Sequence, residues 1–351
     1  MPLKVAFLNN TYVPTKPLED AGIQVTKGAC KTTEEAVEAM RDCDGALVST
    51  WPLTGRDVLD LCPKLKVVSR MGVGVDSIDP KAATELGIVV CNTPGVNTTE
   101  VADHAMAMLL ALTRRLVETD AFMKAARWGE DAATLREFQT TSQRIAGGTV
   151  GIIGFGNIGR AFATRIKGFG PERVIACDPY TPQTTADLYG VKLVDLDTLL
   201  QQSDFITIHA PATKDTHHLI NRDTLLKMKR SAVLINCSRG PLVDEVALHA
   251  ALRDGVIRAA GLDVFEREPV DAESPLLSLP NILLSPHTAG WSPTFIAESG
   301  RKQAENVAFV LTGKKPHGIA NPDVVKTIAV MRATNPGRWK GVPDFSTASD
   351  W

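Results

Sequence analysis

Thr149-Val-Gly-Ile-Ile-Gly-Phe-Gly-Asn-Ile-Gly-Arg160 decides how this chain folds. A β-branched, apolar run from Thr149 to Ile153 enters Gly154-x-Gly156-x-x-Gly159 directly. A helical pattern continues to about Phe169. A second apolar run, Val174-Ile-Ala-Cys, ends in Asp178. This is strand, glycine turn, helix, strand and acid, with the acid roughly 20 residues past the last glycine, as a dinucleotide-binding unit requires. Gly154 permits a tight turn, Gly156 lets backbone approach a pyrophosphate, and Gly159 lets the helix lie close on the strand. The helix N-terminus offers N–H groups and partial positive charge to phosphates. A carboxylate at Asp178 suits the two ribose hydroxyls and repels a 2′-phosphate. Pro179 and Tyr180 follow it in place of an arginine, so the expected cofactor is NAD.

Working outward, the first hundred residues carry their own strand and helix alternation. Expected strands are 4–8, 23–27, 45–48, 66–69 and 88–91. A long helix over 97–112 has apolar residues at Val101, Ala105, Met108, Leu109 and Leu112, which is helical spacing. It leads into the glycine-motif unit, where further strands are expected at 205–209, 232–236, 259–264 and 282–285. A helix over 295–312 returns the chain to the first unit. The expected fold is α/β: two doubly wound parallel-sheet domains, a Rossmann nucleotide-binding domain inserted into a flavodoxin-like substrate domain. The domains are 1–100 plus 291–325 for substrate and 101–290 for NAD. Residues 326–351, with Asn335-Pro-Gly and Gly341-Val-Pro, lack periodicity and read as a loose extension or subunit contact. The polar stretch 119–144, with Trp128, reads as an arm or packing helix.

Composition is ordinary for a 351-residue globular chain: 44% hydrophobic, 22% charged, net charge −2. That balance invites neither nucleic acid nor an anionic membrane. The N-terminus runs at once into a strand-like segment, and the apolar run Ala105–Leu112 is too short for a bilayer. Six scattered cysteines show no C-x-x-C spacing, so no metal is expected, and reduced thiols in the cytoplasm are.

Ligands of an open α/β sheet gather beyond the carboxyl ends of its strands. Three such ends carry reactive groups: Arg239 in Asn236-Cys-Ser-Arg-Gly240, Asp263 with Glu268 in Asp263-Val-Phe-Glu-Arg-Glu-Pro269, and His287 in Ser285-Pro-His-Thr-Ala-Gly290. Oxidising a 2-hydroxy acid moves a hydride from C2 and a proton from the hydroxyl. His287 can take the proton. Glu268 can hold the other ring nitrogen, and Arg239 can grip the substrate carboxylate with its planar fork. Asp263 can accept from the nicotinamide carboxamide. A lone strand-end histidine is usually structural, but three such groups around one dinucleotide sheet argue for catalysis. In the first unit, Arg70-Met-Gly72-Val-Gly74-Val-Asp76 follows a strand. Its backbone N–H groups, Val73 and Gly74 among them, can cradle a substrate carboxylate as a nest does.

These segments together resemble the D-isomer-specific 2-hydroxyacid dehydrogenases, in the branch with phosphoglycerate dehydrogenases and the C-terminal binding protein corepressors. The likeness spans roughly residues 40 to 322, with His209-Ala-Pro211 and Thr213 and Thr216 as further markers. The resemblance implies Arg239, Glu268 and His287 as catalytic trio, with Arg239 and His287 also touching substrate. It implies Asn157 and Ile158 at the pyrophosphate, and Ala210, Pro211, Thr216, Cys237, Ser238 and Gly290 among the cofactor contacts. It further implies a homodimer and a small 2-hydroxy or 2-keto acid as the partner molecule. Trp291 after Ala289-Gly290 is similar to the corepressor subgroup, so an NAD(H)-sensing binding protein stands as the alternative. The loop Ser49-Thr-Trp-Pro-Leu-Thr54 is neutral and apolar, which argues against a phosphorylated substrate.

Overall fold

A computed structural model describes residues 2–9, 13–334 and 337–347. The chain divides into two units, 1–97 with 291–351, and 98–290.

The first unit holds β1 (Lys4–Leu8), β2 (Gln24–Gly28), β3 (Gly45–Val48), β4 (Val67–Arg70) and β5 (Val89–Cys91) in one parallel sheet, ordered β2-β1-β3-β4-β5. This is the flavodoxin-like order expected of the substrate domain. Its strands β1, β3 and β5 are nearly continuous apolar runs because both faces are covered, whereas the edge strand β2 is polar and mostly exposed. Val5, Phe7, Leu47 and Val67 join one core, while Ala6, Leu8, Ala46 and Val68 join the other, which is period-2 alternation. The helix Pro293–Thr312 contributes Ala304, Val307, Val310 and Leu311 to the first of these cores.

The tail differs from its sequence reading. Val324–Thr334 is a helix, and Trp339 and Phe345 are fully buried in the same core as β1 and the helix Pro293–Thr312. The Trp339 indole N–H donates to the Gly87 carbonyl at 2.9 Å, and Arg338 donates to that of Leu65 at 2.6 Å. Residues 326–334 and 337–347 therefore complete the first unit's core instead of trailing from it. Only Val324 and Ile328 are buried on that helix, too narrow a stripe to show as periodicity, and the aromatics that follow sit in two single-turn 3-10 helices, Gly337–Trp339 and Phe345–Thr347. Asn335 and Pro336 lie outside the described residues.

The second unit holds β6 (Thr149–Ile153), β7 (Arg173–Cys177), β8 (Lys192–Leu193), β9 (Phe205–Ile208), β10 (Val233–Asn236), β11 (Ala259–Leu262) and β12 (Ile282–Leu284). All are parallel, in the order β12-β11-β10-β9-β6-β7-β8. Counted from β6, that is the 3-2-1-4-5-6 arrangement of a dinucleotide fold with one added edge strand. The short edge strand β8 was not legible in the sequence. The helix Thr98–Arg114 packs on the helix Asn157–Ile166 and on β10 and β11. The 119–144 stretch forms two helices, Leu116–Lys124 and Ala132–Thr141, pinned by an edge-on contact between Phe122 and Phe138 at 5.4 Å.

Candidate active site

The strand order of the second unit reverses beside β6, and the glycine turn sits at the carboxyl end of that strand. Gly154 has φ +87°, and a Cβ there would lie 2.6 Å from the His209 carbonyl. A Cβ on Gly159 would run into the Gly154 carbonyl oxygen, so the helix can approach β6 this closely only with glycine. Gly156 is different: a Cβ there would meet nothing within 4 Å. Gly156 and Asn157 are exposed, Ile158 follows in the first turn, and no side chain caps the helix Asn157–Ile166. Bare backbone and open space at a helix N-terminus fit a pyrophosphate.

Asp178 plays a part the sequence did not show. Its carboxylate accepts from the N–H groups of Phe155 at 2.7 Å, Tyr180 at 2.8 Å and Thr181 at 3.0 Å. It ties the glycine turn to the loop after β7. A carboxylate has about four acceptor positions, so capacity remains for a ribose hydroxyl. Beyond β9, the Thr216 hydroxyl donates to the Pro211 carbonyl at 2.7 Å, and the Ser238 hydroxyl donates to the Ala210 carbonyl at 2.9 Å. The structure thus brings Ala210, Pro211, Thr216 and Ser238 together. Cys237 points the other way: its thiol is buried beside the Met108 sulfur at 3.8 Å, and burial pushes its pKa up. Only its backbone is left to meet a cofactor.

The turn that carries Arg239 is built by Asn236, a fully buried residue that sequence reasoning passed over. Its side chain accepts from the Ser238 N–H at 3.0 Å and donates to the Arg239 carbonyl at 2.9 Å. The visible signal was an amide closing an otherwise apolar strand. The Arg239 guanidinium donates to the Ser238 carbonyl at 2.7 Å. Gly240 allows no Cβ, because the backbone of Phe265 lies against it, and this couples the Arg239 turn to the loop that leads to Glu268.

Glu268 and His287 meet. Glu268 Oε2 lies 2.6 Å from His287 Nδ1, and its other oxygen accepts from the Phe265 N–H at 3.0 Å. Burial pushes the Glu268 carboxyl up. The His287 hydrogen bond, the Phe265 N–H and the charges of His287 and Arg239 outweigh it and hold the group below the usual carboxylate range. An ionised Glu268 only accepts, so His287 Nδ1 carries the proton and the neutral ring keeps its lone pair on Nε2. The His287 side chain is 43% exposed.

His287 has φ +52°, a conformation costing an L-residue about 1–3 kcal/mol. Asp263 enforces it. The His287 N–H donates to the Asp263 carbonyl at 2.7 Å, and the buried Asp263 carboxylate accepts from the N–H groups of Thr288 and Ala289, each at 2.9 Å. The Ser285 hydroxyl donates to the same carboxylate at 2.5 Å, and His104 Nε2 lies 2.9 Å from that hydroxyl. Asp263, expected at the cofactor, is in this structure the anchor of the 285–290 loop that ends at Gly290. His104 was missed, although it lies on the buried stripe of its helix, between Val101 and Met108. Behind the Asp263–Pro269 loop, Glu245 and Glu266 each accept the other's backbone N–H, at 2.6 and 2.9 Å.

In the first unit, Val73 is exposed and Arg70 donates to the Gly74 carbonyl. The Gly72 N–H is turned inward, to the hydroxyls of Thr93 at 2.9 Å and Ser299 at 3.1 Å. The expected nest therefore loses that donor. Among the described residues no group of three or more His, Cys, Asp or Glu could hold a metal, and no helix is long and apolar enough to cross a membrane.

A parallel dinucleotide fold with a paired imidazole and carboxylate at its strand ends defines an NAD-linked oxidoreductase. The chain belongs to the D-isomer specific 2-hydroxyacid dehydrogenase family, whose NAD-binding domain matches residues 106–289. A glyoxylate reductase of Korarchaeum cryptofilum is 42% identical over 83% of this chain and 86% of its own length. A D-3-phosphoglycerate dehydrogenase of Methanocaldococcus jannaschii is 40% identical over 87% of this chain, which spans only 57% of that longer relative. The crystal structure of an NADPH-dependent glyoxylate/hydroxypyruvate reductase from Sinorhizobium meliloti, in complex with NADP and malonate, is similar with a TM-score of 0.79. It is 32% identical, and the match covers 92% of this chain and 98% of that one. These likenesses support NAD(P)-dependent 2-hydroxyacid dehydrogenase activity.

Proposed function

We propose that the chain reduces a small, unphosphorylated 2-keto acid with NADH, glyoxylate and hydroxypyruvate being the first candidates. The observation that carries this is the 2.6 Å pair of His287 and Glu268, with Arg239 close enough to add to the shift of Glu268. When bound, NAD(H) supplies or accepts the hydride at C2. His287 Nε2 gives a proton to the C2 oxygen in reduction and takes it back in oxidation. Glu268 stabilises the imidazolium and fixes its tautomer. Arg239 holds the substrate carboxylate. The choice of an unphosphorylated acid rests on the exposed, apolar Trp51 and Leu53 in the 49–54 loop, and on Arg70 being engaged with Gly74.

The test is NADH oxidation against glyoxylate, hydroxypyruvate, larger apolar 2-keto acids and a phosphorylated one. Turnover of the first groups is expected. Preference for the phosphorylated acid overturns the substrate assignment. Tight NADH binding with no turnover on any of them favours a corepressor-like scaffold.

The preference for NADH rests on Asp178. Asp178→Ala lowers the ratio of kcat/KM with NADH to that with NADPH by about tenfold, the scale of one charged hydrogen bond. It also raises KM for NADH, because the glycine turn loses its tie. Unchanged selectivity in paired assays rejects the ribose contact.

The proposal includes a homodimer in the cytoplasm, where six free cysteines stay reduced. Leu116, Val117, Met123 and Trp128 on and beside the two helices of the 116–141 arm are at least half exposed, an apolar set suited to a second copy. Light scattering at twice the chain mass is expected, and a monomer at micromolar concentration rejects it.

A further inference from the structure

The loop that presents His287 is held in a strained backbone by a carboxylate buried at the end of β11. The Asp263 side chain is 1% exposed, and three of its acceptor positions are taken by the Thr288 and Ala289 N–H groups and the Ser285 hydroxyl. A buried charge is held in place only while its hydrogen bonds stay complete. The outermost member of this network is His104, on the helix Thr98–Arg114.

Proton counting sets the direction of the chain of bonds. An ionised Asp263 has no proton to give. The Ser285 hydroxyl has one, and at 2.5 Å it goes to Asp263 Oδ1. The 2.9 Å contact between Ser285 Oγ and His104 Nε2 then needs a proton from the histidine. His104 Nε2 is also 3.7 Å from Asp263 Oδ1, so its N–H dipole favours the carboxylate directly.

We infer that His104 is a positioning residue: as an Nε2–H donor to Ser285, it sets the Asp263 carboxylate that holds the 285–290 loop and so aims His287. The kinetic part of this inference rests on the proposed reduction of a 2-keto acid by His287. The structural part does not. His104 touches none of the reacting groups assigned above. It acts through Ser285 and Asp263. Glutamine can replace it, because the Gln amide nitrogen reaches about as far from the backbone as His Nε2 and also donates. Leucine fills similar space and donates nothing.

The experiment compares the full-length chain with its His104→Leu, His104→Gln and Ser285→Ala variants. Three readouts are needed: kcat and KM for glyoxylate, the dissociation constant of NADH, and amide hydrogen exchange at Thr288 and Ala289. His104→Leu and Ser285→Ala lower kcat about tenfold, the scale of one buried hydrogen bond to a charged group. Both speed exchange at the two amides by a similar factor, and NADH affinity changes far less. His104→Gln restores kcat and exchange to near the wild-type values. Wild-type kcat and exchange in His104→Leu overturn the inference. So does a glutamine variant as impaired as the leucine one, which makes the role one of packing. If the unsubstituted chain turns over no keto acid, the proposed function fails while exchange still decides the role of His104. Ser285→Ala carries the test should His104→Leu not fold.

Discussion

Replacing His287 with alanine lowers kcat for 2-keto acid reduction by roughly 10²–10⁴-fold, the usual scale for a general acid–base, and leaves NADH affinity nearly unchanged. The variant keeps the backbone N–H that bonds the Asp263 carbonyl at 2.7 Å. Alanine at φ +52° keeps a Cβ in the left-handed region as histidine does, and the Asp263 bonds that hold the loop there are all retained. What disappears is the imidazole whose Nδ1 is held by Glu268 at 2.6 Å. Glu268 is left without its partner, and the proton transfer loses its carrier. Fluorescence titration with NADH beside steady-state kinetics separates binding from chemistry. Turnover at the wild-type rate would falsify the assignment of His287.

The second large effect is expected at the glycine turn, where two neighbouring glycines should fail in different ways. In Gly159→Ala, the new Cβ runs into the Gly154 carbonyl oxygen, and backbone on both sides leaves neither partner free to yield. The helix Asn157–Ile166 must move off β6. Overpacking of this kind costs about 1–3 kcal/mol, which for a unit of this size lowers Tm by roughly 2–12 °C. NADH binding at micromolar concentration is lost with it, since the helix N-terminus that fits the pyrophosphate is displaced. In Gly156→Ala the Cβ meets nothing within 4 Å. That variant keeps its Tm but fills the space a phosphate needs, so NADH affinity falls alone. Calorimetry and NADH titration of both variants check the pair. Equal Tm values would show that the close helix–strand approach does not depend on Gly159.

Much of this was legible because the relevant signals are local. The mostly apolar strands β6, β9 and β10, the Gly154–Gly159 spacing and Asp178 together define a dinucleotide fold without any knowledge of long-range contacts. Arg239, Glu268 and His287 stand out because each reactive side chain closes or follows an apolar run. What was not legible depends on partners distant in sequence. Asn236 shapes the Arg239 turn, His104 reaches Ser285 across 181 residues, and Trp339 caps the Gly87 carbonyl across 252. No period or motif announces such pairs. Asp178 and Asp263 were seen and their local duties were not, since a sequence shows a carboxylate but not the N–H groups that turn toward it.

The residue pattern by itself determined two parallel α/β units, the nucleotide turn and the set of groups able to carry a proton and grip a carboxylate. It could do so because strand burial and glycine geometry are written within about 30 residues of chain. Tertiary structure alone decided that the tail belongs to the first core, that Gly72 turns its N–H inward, and that His287 is held at a positive φ by a buried aspartate. Those outcomes depend on which backbone donors and side-chain acceptors meet once the sheets have formed, and that is settled by packing in three dimensions.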